Sequence, residues 1–223
     1  MKNFLDLEIS ESESDSELNS DLDSESDISL SNDIDISMFK VSVELKKGKY
    51  GYGSYVTENI KIGAEIVCLC CKDCCPPENH IDIKKVHSWS EKEKKALNHA
   101  IQIDKNNICL EWNEVLGNEG LLGINYINHS CDPTTWFKSG TFILEARKNL
   151  RPGDEITFDY ATTEYDKSSI EKYLLDMKCD CNCSMCRKHI KCTDYLDKEL
   201  QNRYNEHFSP FITEIIDELK MKN

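Results

Sequence analysis

Short runs of alternating apolar and polar residues dominate the chain between residues 41 and 160. Successive side chains of a strand point to opposite faces, so a run with apolar side chains at every second position is typical of a half-buried strand. Turns rich in glycine, proline and asparagine separate the runs. The pattern therefore predicts a mostly β domain of short strands. The predicted strands cover residues 41–43, 54–57, 65–69, 136–137, 141–146 and 156–160, with turns at residues 59–63 and 150–154.

Residues 78–118 interrupt this pattern and form an insert. Ser90 is followed three residues later by Glu93, which is a capping-box signature and predicts the start of a short helix at Ser90. Residues 100–104 and 108–112 flank a polar tripeptide and are typical of a hairpin. The insert should therefore contain short helices beside a small hairpin.

The tail from Thr193 places apolar side chains at about four-residue spacing, which predicts a helix with one apolar face. Ser209 and Pro210 suit the cap and the first position of a second helix. An amphipathic helix must bury its apolar face somewhere, so the tail either packs on the domain or binds a partner, such as a second copy of the chain in a homodimer. The apolar positions are Leu196, Leu200, Tyr204, Phe208, Phe211, Ile215, Ile216 and Leu219.

Charge separates the N-terminal segment from the rest of the chain. The net charge is −14, and residues 1–37 contain 12 acidic residues and one lysine. This serine- and acid-rich segment has too few large apolar side chains to offset its ordering entropy, so we predict a disordered tail over residues 1–37. It is either a solubilising tail or a mask or bait for basic partners such as histones, and its serines are candidates for phosphorylation.

Several function classes find no support in the sequence. No apolar signal segment follows Met1, and no run of eighteen apolar residues is present, so neither secretion nor a membrane span is indicated. Twelve cysteines without a secretory route favour free thiols and metal ligands over disulfides. No dense basic cluster indicates a nuclear signal or direct nucleic-acid binding. We therefore expect an intracellular protein, in the nucleus or the cytoplasm.

Three motifs concentrate the chemistry, in a fixed order. They are Asn128-His129-Ser130-Cys131, then Gly-Asp-Glu-Ile-Thr-Phe-Asp-Tyr at residues 153–160, then a cysteine-rich segment at residues 179–186. Alone, each has a bland interpretation as a polar loop, a strand end or a set of buried thiols. Together they resemble the core of the SET-domain protein lysine methyltransferases with a post-SET cysteine segment, over about residues 41–187.

The resemblance implies a β-clip-like SET domain with a knot-like C-terminal crossing. It divides the chain into the acidic tail (1–37), a SET domain (38–163, with the insert at about 78–118), a post-SET zinc segment (164–192) and C-terminal helices (193–223). It also implies that the protein transfers a methyl group from S-adenosylmethionine to a lysine side chain. The substrate that the resemblance implies is a basic protein, namely a histone, methylated on its tail.

The resemblance assigns roles residue by residue. Tyr160 is the expected catalytic residue, and Tyr126 and Phe158 are expected in the substrate channel. Phe158 stands where a tyrosine hydroxyl would hold a water, and this implies a di- or trimethyl product. Methyl transfer is an in-line displacement that needs alignment more than a dedicated general base. The expected cofactor-binding residues are Gly51, Tyr52, Gly53, Asn128, His129 and Tyr160.

One structural zinc is expected by the same resemblance, with Cys131, Cys179, Cys181 and Cys186 as ligands. Cys183 could compete as a ligand, and Asn182 stands where the family usually has glycine. Cys71 and Cys74 also have metal-ligand spacing, but buried thiols of the 68–75 cluster are the simpler interpretation. The insert histidines lack paired partners at metal spacing, so we interpret them as surface or capped side chains. They are His80, His87 and His99.

Two alternatives to the histone methyltransferase remain. Many family members have Tyr-x-Gly-Glu at the end of the strand that occupies residues 65–69 here, and this chain lacks it. That departure favours a catalytically inactive SET fold that binds basic peptides, whereas Asn128, His129 and Tyr160 favour an enzyme. The second alternative is a methyltransferase for a non-histone protein.

Overall fold

The computed structural model describes residues 36–48, 51–70, 80–94, 97, 100–110, 123–165 and 176–222. Within these ranges, short strands form small sheets of two or three strands each. The expectations for residues 1–35, for Cys71, Cys74 and Cys75, for His99 and for residues 111–122 lie outside the described part of the chain. Among the described helices, none is long and apolar enough to cross a membrane.

The N-terminal hairpin joins β1 (Val43–Gly48) to β2 (Gly51–Val56). Gly51 adopts a φ of 102°, a conformation that glycine reaches without strain. The strand predicted over residues 54–57 therefore begins earlier, at Gly51, and the strand predicted over residues 41–43 begins only at Val43. The lysine-rich stretch of β1 pairs with β2 as the outer strand.

The central sheet has the order β3-β9-β8, formed by β3 (Glu65–Cys68), β8 (Thr135–Phe137) and β9 (Ile143–Ala146). These strands match three of the predicted runs. Their inward side chains build the main core, whose burial removes apolar surface from water. The core includes Val56, Ile66, Val67, Ile127, Phe137, Leu144, Leu150 and Ile156.

The insert forms a second small sheet, of order β4-β6-β5, with β4 (His80–Asp82), β5 (Ile101–Gln102) and β6 (Asn107–Cys109). The β5–β6 pair is the expected hairpin, and β4 was not predicted. Two short helices, α1 (Ile83–Val86) and α2 (Glu91–Lys94), complete the insert. The capping box is confirmed, because Glu93 N donates to Ser90 Oγ (3.2 Å) and Ser90 N donates to the Glu93 carboxylate (2.6 Å).

A parallel strand pair brings two of the motifs together. β7 (Asn128–His129) lies beside β10 (Thr157–Phe158), with Asn128 opposite Thr157 and His129 opposite Phe158. The expected strand over residues 156–160 is shorter than predicted, because the Asp159 side chain accepts a hydrogen bond from Ala161 N and caps a 3₁₀ helix, Tyr160–Thr162. Tyr160 therefore begins a helical turn instead of ending a strand.

The C-terminal part begins with an antiparallel pair, β11 (Asp176–Lys178) and β12 (His189–Lys191), which flanks the cysteine-rich segment. The tail contains α3 (Lys198–Tyr204) and α4 (Pro210–Met221). Ser209 is the cap residue of α4 as predicted, but its hydroxyl makes no capping hydrogen bond. Leu196 was expected on the apolar face; it precedes α3 in a 3₁₀ turn and is 41% exposed.

The apolar face of the tail is buried within the chain itself. It forms a second core that packs against Trp136 and Tyr165. Packing on the domain is therefore the outcome that the structure favours, and the face does not need a second chain to cover it. The members of this core are Tyr195, Leu200, Tyr204, Phe208, Phe211, Ile212, Ile215 and Ile216.

Candidate active site

The parallel pair β7–β10 sets the direction of the motif side chains. Neighbouring residues of a strand point to opposite faces, so Asn128 and His129 diverge. Asn128 Nδ2 donates to the Tyr52 carbonyl (3.1 Å) and to Glu155 Oε1 (2.7 Å). Asn128 is thus held against β2, beside the glycines that were expected at the cofactor.

A larger side chain at Gly53 would displace the neighbouring side chains of Glu155 and Asn128. A Cβ atom at Gly53 would lie 2.5 Å from Glu155 Oε1 and 2.9 Å from Asn128 Nδ2, closer than nonbonded atoms approach. The glycine therefore admits the amide–carboxylate pair to the backbone of β2. Glu155 was not predicted as a site residue, although it lies in the Gly-Asp-Glu turn before β10.

His129 points to the other side, toward the cysteines. Its Nδ1 accepts a hydrogen bond from Tyr160 N (3.2 Å), and its Nε2 lies 3.3 Å from Cys131 Sγ. A neutral ring that accepts at Nδ1 carries its proton on Nε2, so it donates to the Cys131 sulfur. Burial lowers the pKa of His129 to about 4, although Asp159 acts in the opposite direction. Both ring nitrogens of His129 are therefore engaged inside the protein.

Tyr160 is fixed at both ends. Its hydroxyl donates to the Ile127 carbonyl (2.9 Å), and its ring centroid lies 5.3 Å from that of His129 and 4.9 Å from that of Phe158. Burial, and then the charge of Glu155, raise the pKa of Tyr160 above its ordinary value. The hydroxyl is therefore neutral. Its proton is donated to the Ile127 carbonyl, so its lone pairs can still accept a hydrogen bond from another group.

The two residues expected in the channel have different surroundings. Tyr126 ends a 3₁₀ helix, Gly123–Tyr126, and its ring contacts Tyr52 edge to face at 6.2 Å. Phe158 is half-buried and also contacts the core residue Phe137, with ring centroids 6.1 Å apart. Phe158 is therefore at once a core-packing residue and a neighbour of Tyr160.

Four thiols converge beside His129. The Sγ atoms of Cys131, Cys179, Cys181 and Cys186 all lie within 4.8 Å of one another. Cys179 Sγ lies 3.8 Å from both Cys131 Sγ and Cys186 Sγ. A tetrahedral zinc with Zn–S bonds of about 2.3 Å has S···S edges of about 3.8 Å, so this group fits a zinc ion. Cys183, the competing candidate, is outside the group and contacts Cys181 Sγ at 3.6 Å.

The protonation of these thiols depends on whether a cation is bound. Burial raises the pKa of Cys131 above its ordinary value and that of Cys179 to about 12. Burial opposes ionisation of Cys181 as well, but backbone hydrogen bonds lower its pKa to about 6. Four thiolates at this separation need a positive ion, which deprotonates its cysteine ligands outright. Asn182, at the usual glycine position, has a φ of 55°, which asparagine tolerates.

A buried ion pair connects the site to the rest of the chain, and it was not predicted. Asp159 is 1% exposed and accepts from Arg187 Nη1 (2.6 Å), Arg187 Nη2 (2.7 Å) and the Tyr204 hydroxyl (2.8 Å). Burial opposes ionisation of Asp159, but the bonds from Arg187 outweigh it and hold the pKa below its ordinary value. Asp159 thereby joins the Tyr160 turn to the cysteine-rich segment and to α3.

Comparison with known proteins identifies the family to which the chain belongs. The sequence profile of the SET domain matches residues 41–161. This is more than half of the chain, and the chain belongs to the SET-domain family. Membership of the family agrees with the observed β architecture and confirms the expected fold class.

The chain is similar to several curated proteins. It is 37% identical over 71 residues to the histone-lysine N-methyltransferase Set2 of Drosophila melanogaster, covering 29% of this chain and 3% of that protein. It is 25% identical over 153 residues to the putative histone-lysine N-methyltransferase ASHH4 of Arabidopsis thaliana, covering 64% of this chain and 37% of that protein. It is 31% identical over 81 residues to the methyltransferase flvH of Aspergillus flavus, covering 35% of this chain and 42% of that protein.

The chain thus spans less than half the length of each of these relatives. Among solved structures, KRYPTONITE in complex with mCHG DNA and SAH is similar at 19% identity, with a TM-score of 0.43. That similarity covers 68% of this chain and 29% of the other.

Proposed function

We propose that this protein methylates a lysine side chain of a protein, with a histone tail as the substrate class and S-adenosylmethionine as the methyl donor. The observation that carries the proposal is the parallel pairing of β7 with β10. The pairing places Asn128 beside Gly53, where its side chain donates to the Tyr52 carbonyl. It also places Tyr160 so that its hydroxyl donates to the Ile127 carbonyl, one residue before Asn128. Family membership supports the reaction, and a histone substrate would place the protein in the nucleus.

The donor supplies a methyl group on a positively charged sulfonium. The residues proposed to hold it are the backbone of Gly51, Tyr52 and Gly53, together with Asn128, His129 and Tyr160. Gly51 has no side chain to cover its backbone, which permits close approach of a ligand, whereas the space beside Gly53 is filled by Asn128 and Glu155. The Glu155 carboxylate, 2.7 Å from Asn128 Nδ2, adds a negative charge beside that backbone that complements a cationic donor.

Tyr160 is proposed to align the substrate amine. A lysine side chain arrives charged, with an ordinary pKa of about 10.4, and desolvation beside a sulfonium lowers that pKa until water removes the proton. Tyr160 is neutral because its own pKa is raised by burial, so it acts through its lone pairs and not as a base. Alignment of nucleophile and methyl group then supplies the main part of the acceleration.

The test of this function is an assay with isotopically labelled S-adenosylmethionine. Purified protein is incubated with core histones and, separately, with a cell lysate that has been depleted of histones. Label on a histone lysine is the expected result. Label only on lysate proteins would replace the histone substrate by a non-histone one. Absence of label in both, together with absence of cofactor binding by calorimetry, would overturn the enzyme in favour of an inactive module that binds basic peptides.

The four converging thiols are proposed to hold one structural zinc. Cys131 Sγ lies 3.3 Å from His129 Nε2 and receives Arg187 N at 3.4 Å, and such donors to a ligand sulfur orient a metal site. The ion would tie the segment between β11 and β12 to the Cys131 turn. Because Cys131 is two residues from His129, metal binding and cofactor binding should depend on each other.

Replacing Cys181 and Cys186 together with serine should lower the zinc content by about one ion per chain, since closed structural sites need four thiolates. Elemental mass spectrometry of protein purified without chelator measures this loss. Cys192→Ser is the matched control, because Cys192 is half-buried, directly follows β12 and is outside the four-thiol group. Unchanged metal content in the double variant would contradict the assignment.

Phe158 is proposed to permit addition of more than one methyl group. Its ring carries no hydroxyl to hold a water against the amine, and the ring face attracts a methylammonium by about 0.5–2 kcal/mol. Wild-type protein should therefore yield di- or trimethyl-lysine, and Phe158→Tyr should shift the product toward monomethyl-lysine. Mass spectrometry of a peptide substrate at long reaction times distinguishes the products. Wild-type product that stops at one methyl group while the enzyme is active would refute this role.

A further inference from the structure

A second group of metal-binding side chains lies away from the candidate active site. The donor atoms of Cys70, His80 and Cys109 all lie within 4.8 Å of one another. Cys70 and Cys109 are 2% and 5% exposed, and His80 is half-buried. From the sequence we expected His80 on the surface or capped, because no metal-ligand spacing links it to a cysteine. Cys109 follows His80 by 29 residues and His80 follows Cys70 by 10, so folding has to bring the three side chains together.

Strand pairing explains why these side chains meet. His80 in β4 lies directly opposite Cys109 in β6, and opposite residues of an antiparallel pair project their side chains to the same face. Cys70 follows β3, where Leu69 N donates to the Phe142 carbonyl (2.9 Å). The group therefore joins the insert sheet to the central sheet. Ile103 and Phe142 pack around its two cysteines.

The geometry fits a tetrahedral ion. Cys70 Sγ and His80 Nε2 are 3.6 Å apart. Zn–S and Zn–N bonds of about 2.3 and 2.0–2.1 Å at a tetrahedral angle put sulfur and nitrogen about 3.6 Å apart. Two thiolates and an imidazole are soft and borderline donors, which select zinc over magnesium or calcium. The partial exposure of His80 gives the ion a path of entry.

We propose that Cys70, His80 and Cys109 bind a second zinc ion, which fastens the insert to the central sheet. Three protein ligands leave one tetrahedral position for a water or another donor. The insert has a small core of its own, made by Ile83, Val86, Leu97 and Ile108. Four buried side chains supply little stability by themselves, so a metal bond at the junction would hold the insert in register with the core.

The first test counts zinc in the full chain by native mass spectrometry after purification without chelator. Wild-type protein should carry about two ions, one in each cysteine site. The double variant Cys70→Ser and Cys109→Ser should carry about one ion, and so should Cys181→Ser with Cys186→Ser. Cys68→Ser is the matched control and should keep both, because Cys68 is buried near Cys70 but is not part of the group.

A second pair of variants keeps the proposal testable if the buried serines prevent folding. His80→Cys retains a metal donor and should keep the second ion, whereas His80→Ala should lose it. Cobalt added in place of zinc reports the same site through its thiolate charge-transfer absorption, which should fall in His80→Ala and persist in His80→Cys. An equal zinc count in wild type and the Cys70–Cys109 variant would overturn the proposal and leave a buried thiol–imidazole contact only.

Discussion

Phenylalanine in place of Tyr160 should lower kcat for lysine methylation by about 100-fold or more, because small losses of alignment at the reacting atoms cost on that order. The hydroxyl is held on the Ile127 carbonyl at 2.9 Å and is the group proposed to orient the amine. The ring contacts to His129 and Phe158 remain in the variant, so the fold and the contribution of the ring to donor binding should change little. Single-turnover assays with a peptide substrate measure the rate, and calorimetry measures donor binding.

Tyr165→Phe is the matched control for this substitution. The Tyr165 ring packs against Phe211, 5.3 Å between centroids, in the C-terminal core and away from the strand pair. It should leave the rate within a few-fold of wild type. A Tyr160→Phe protein with near wild-type kcat would remove the tyrosine from the mechanism, whereas loss of both rate and donor binding would assign the hydroxyl to cofactor binding.

Methionine in place of Arg187 should lower the free energy of unfolding by about 3–5 kcal/mol, the usual cost of leaving a buried charge without its partner. Arg187 makes two hydrogen bonds to Asp159, whose side chain is fully buried. Urea unfolding of wild type and variant, both saturated with zinc, measures the difference. Arg187→Lys should recover only part of it, since an ammonium cannot form the paired bonds of a guanidinium.

Arg147→Met is the control for an ordinary ion pair. Arg147 contacts Asp132 at 2.6 Å, but these side chains are 23% and 37% exposed, so the loss should be about 0–1 kcal/mol. Lowering the pH should destabilise the folded protein as Arg187→Met does, because protonation of Asp159 also breaks the buried ion pair. Because the pKa of Asp159 is lowered in the folded protein, its contribution is present above its unfolded pKa and is lost as the pH falls through the folded value. Similar losses for Arg187→Met and Arg147→Met would argue against the central role of the pair.

Local patterns predicted most of the regular structure. Alternation located β3, β8 and β9, the capping box located α2, and serine followed by proline located α4. Each signal depends on neighbours within a few residues, which the sequence displays directly. Four strands were missed because their two or three residues are too few to establish a period, namely β4, β7, β11 and β12.

The arrangement of the site was predicted less completely, because it depends on contacts between distant segments. The motif identified Asn128, His129 and Tyr160, but not that His129 faces the thiols while Asn128 faces β2. Asp159 stands inside a recognised motif, yet its partners Arg187 and Tyr204 are separated from it by 28 and 45 residues. No periodicity or spacing rule encodes such pairings.

The hydrogen bonds of Asp159 also decide where a working recombinant fragment can end. The family match stops at residue 161, whereas two partners of this carboxylate come from Arg187 and from Tyr204 in α3. A fragment trimmed to the matched segment would retain Asn128, His129 and Tyr160 and still bury an uncompensated negative charge. Such a fragment should accumulate as insoluble protein on expression, so the boundary of the autonomous unit lies with the ion pair and not with the extent of sequence similarity.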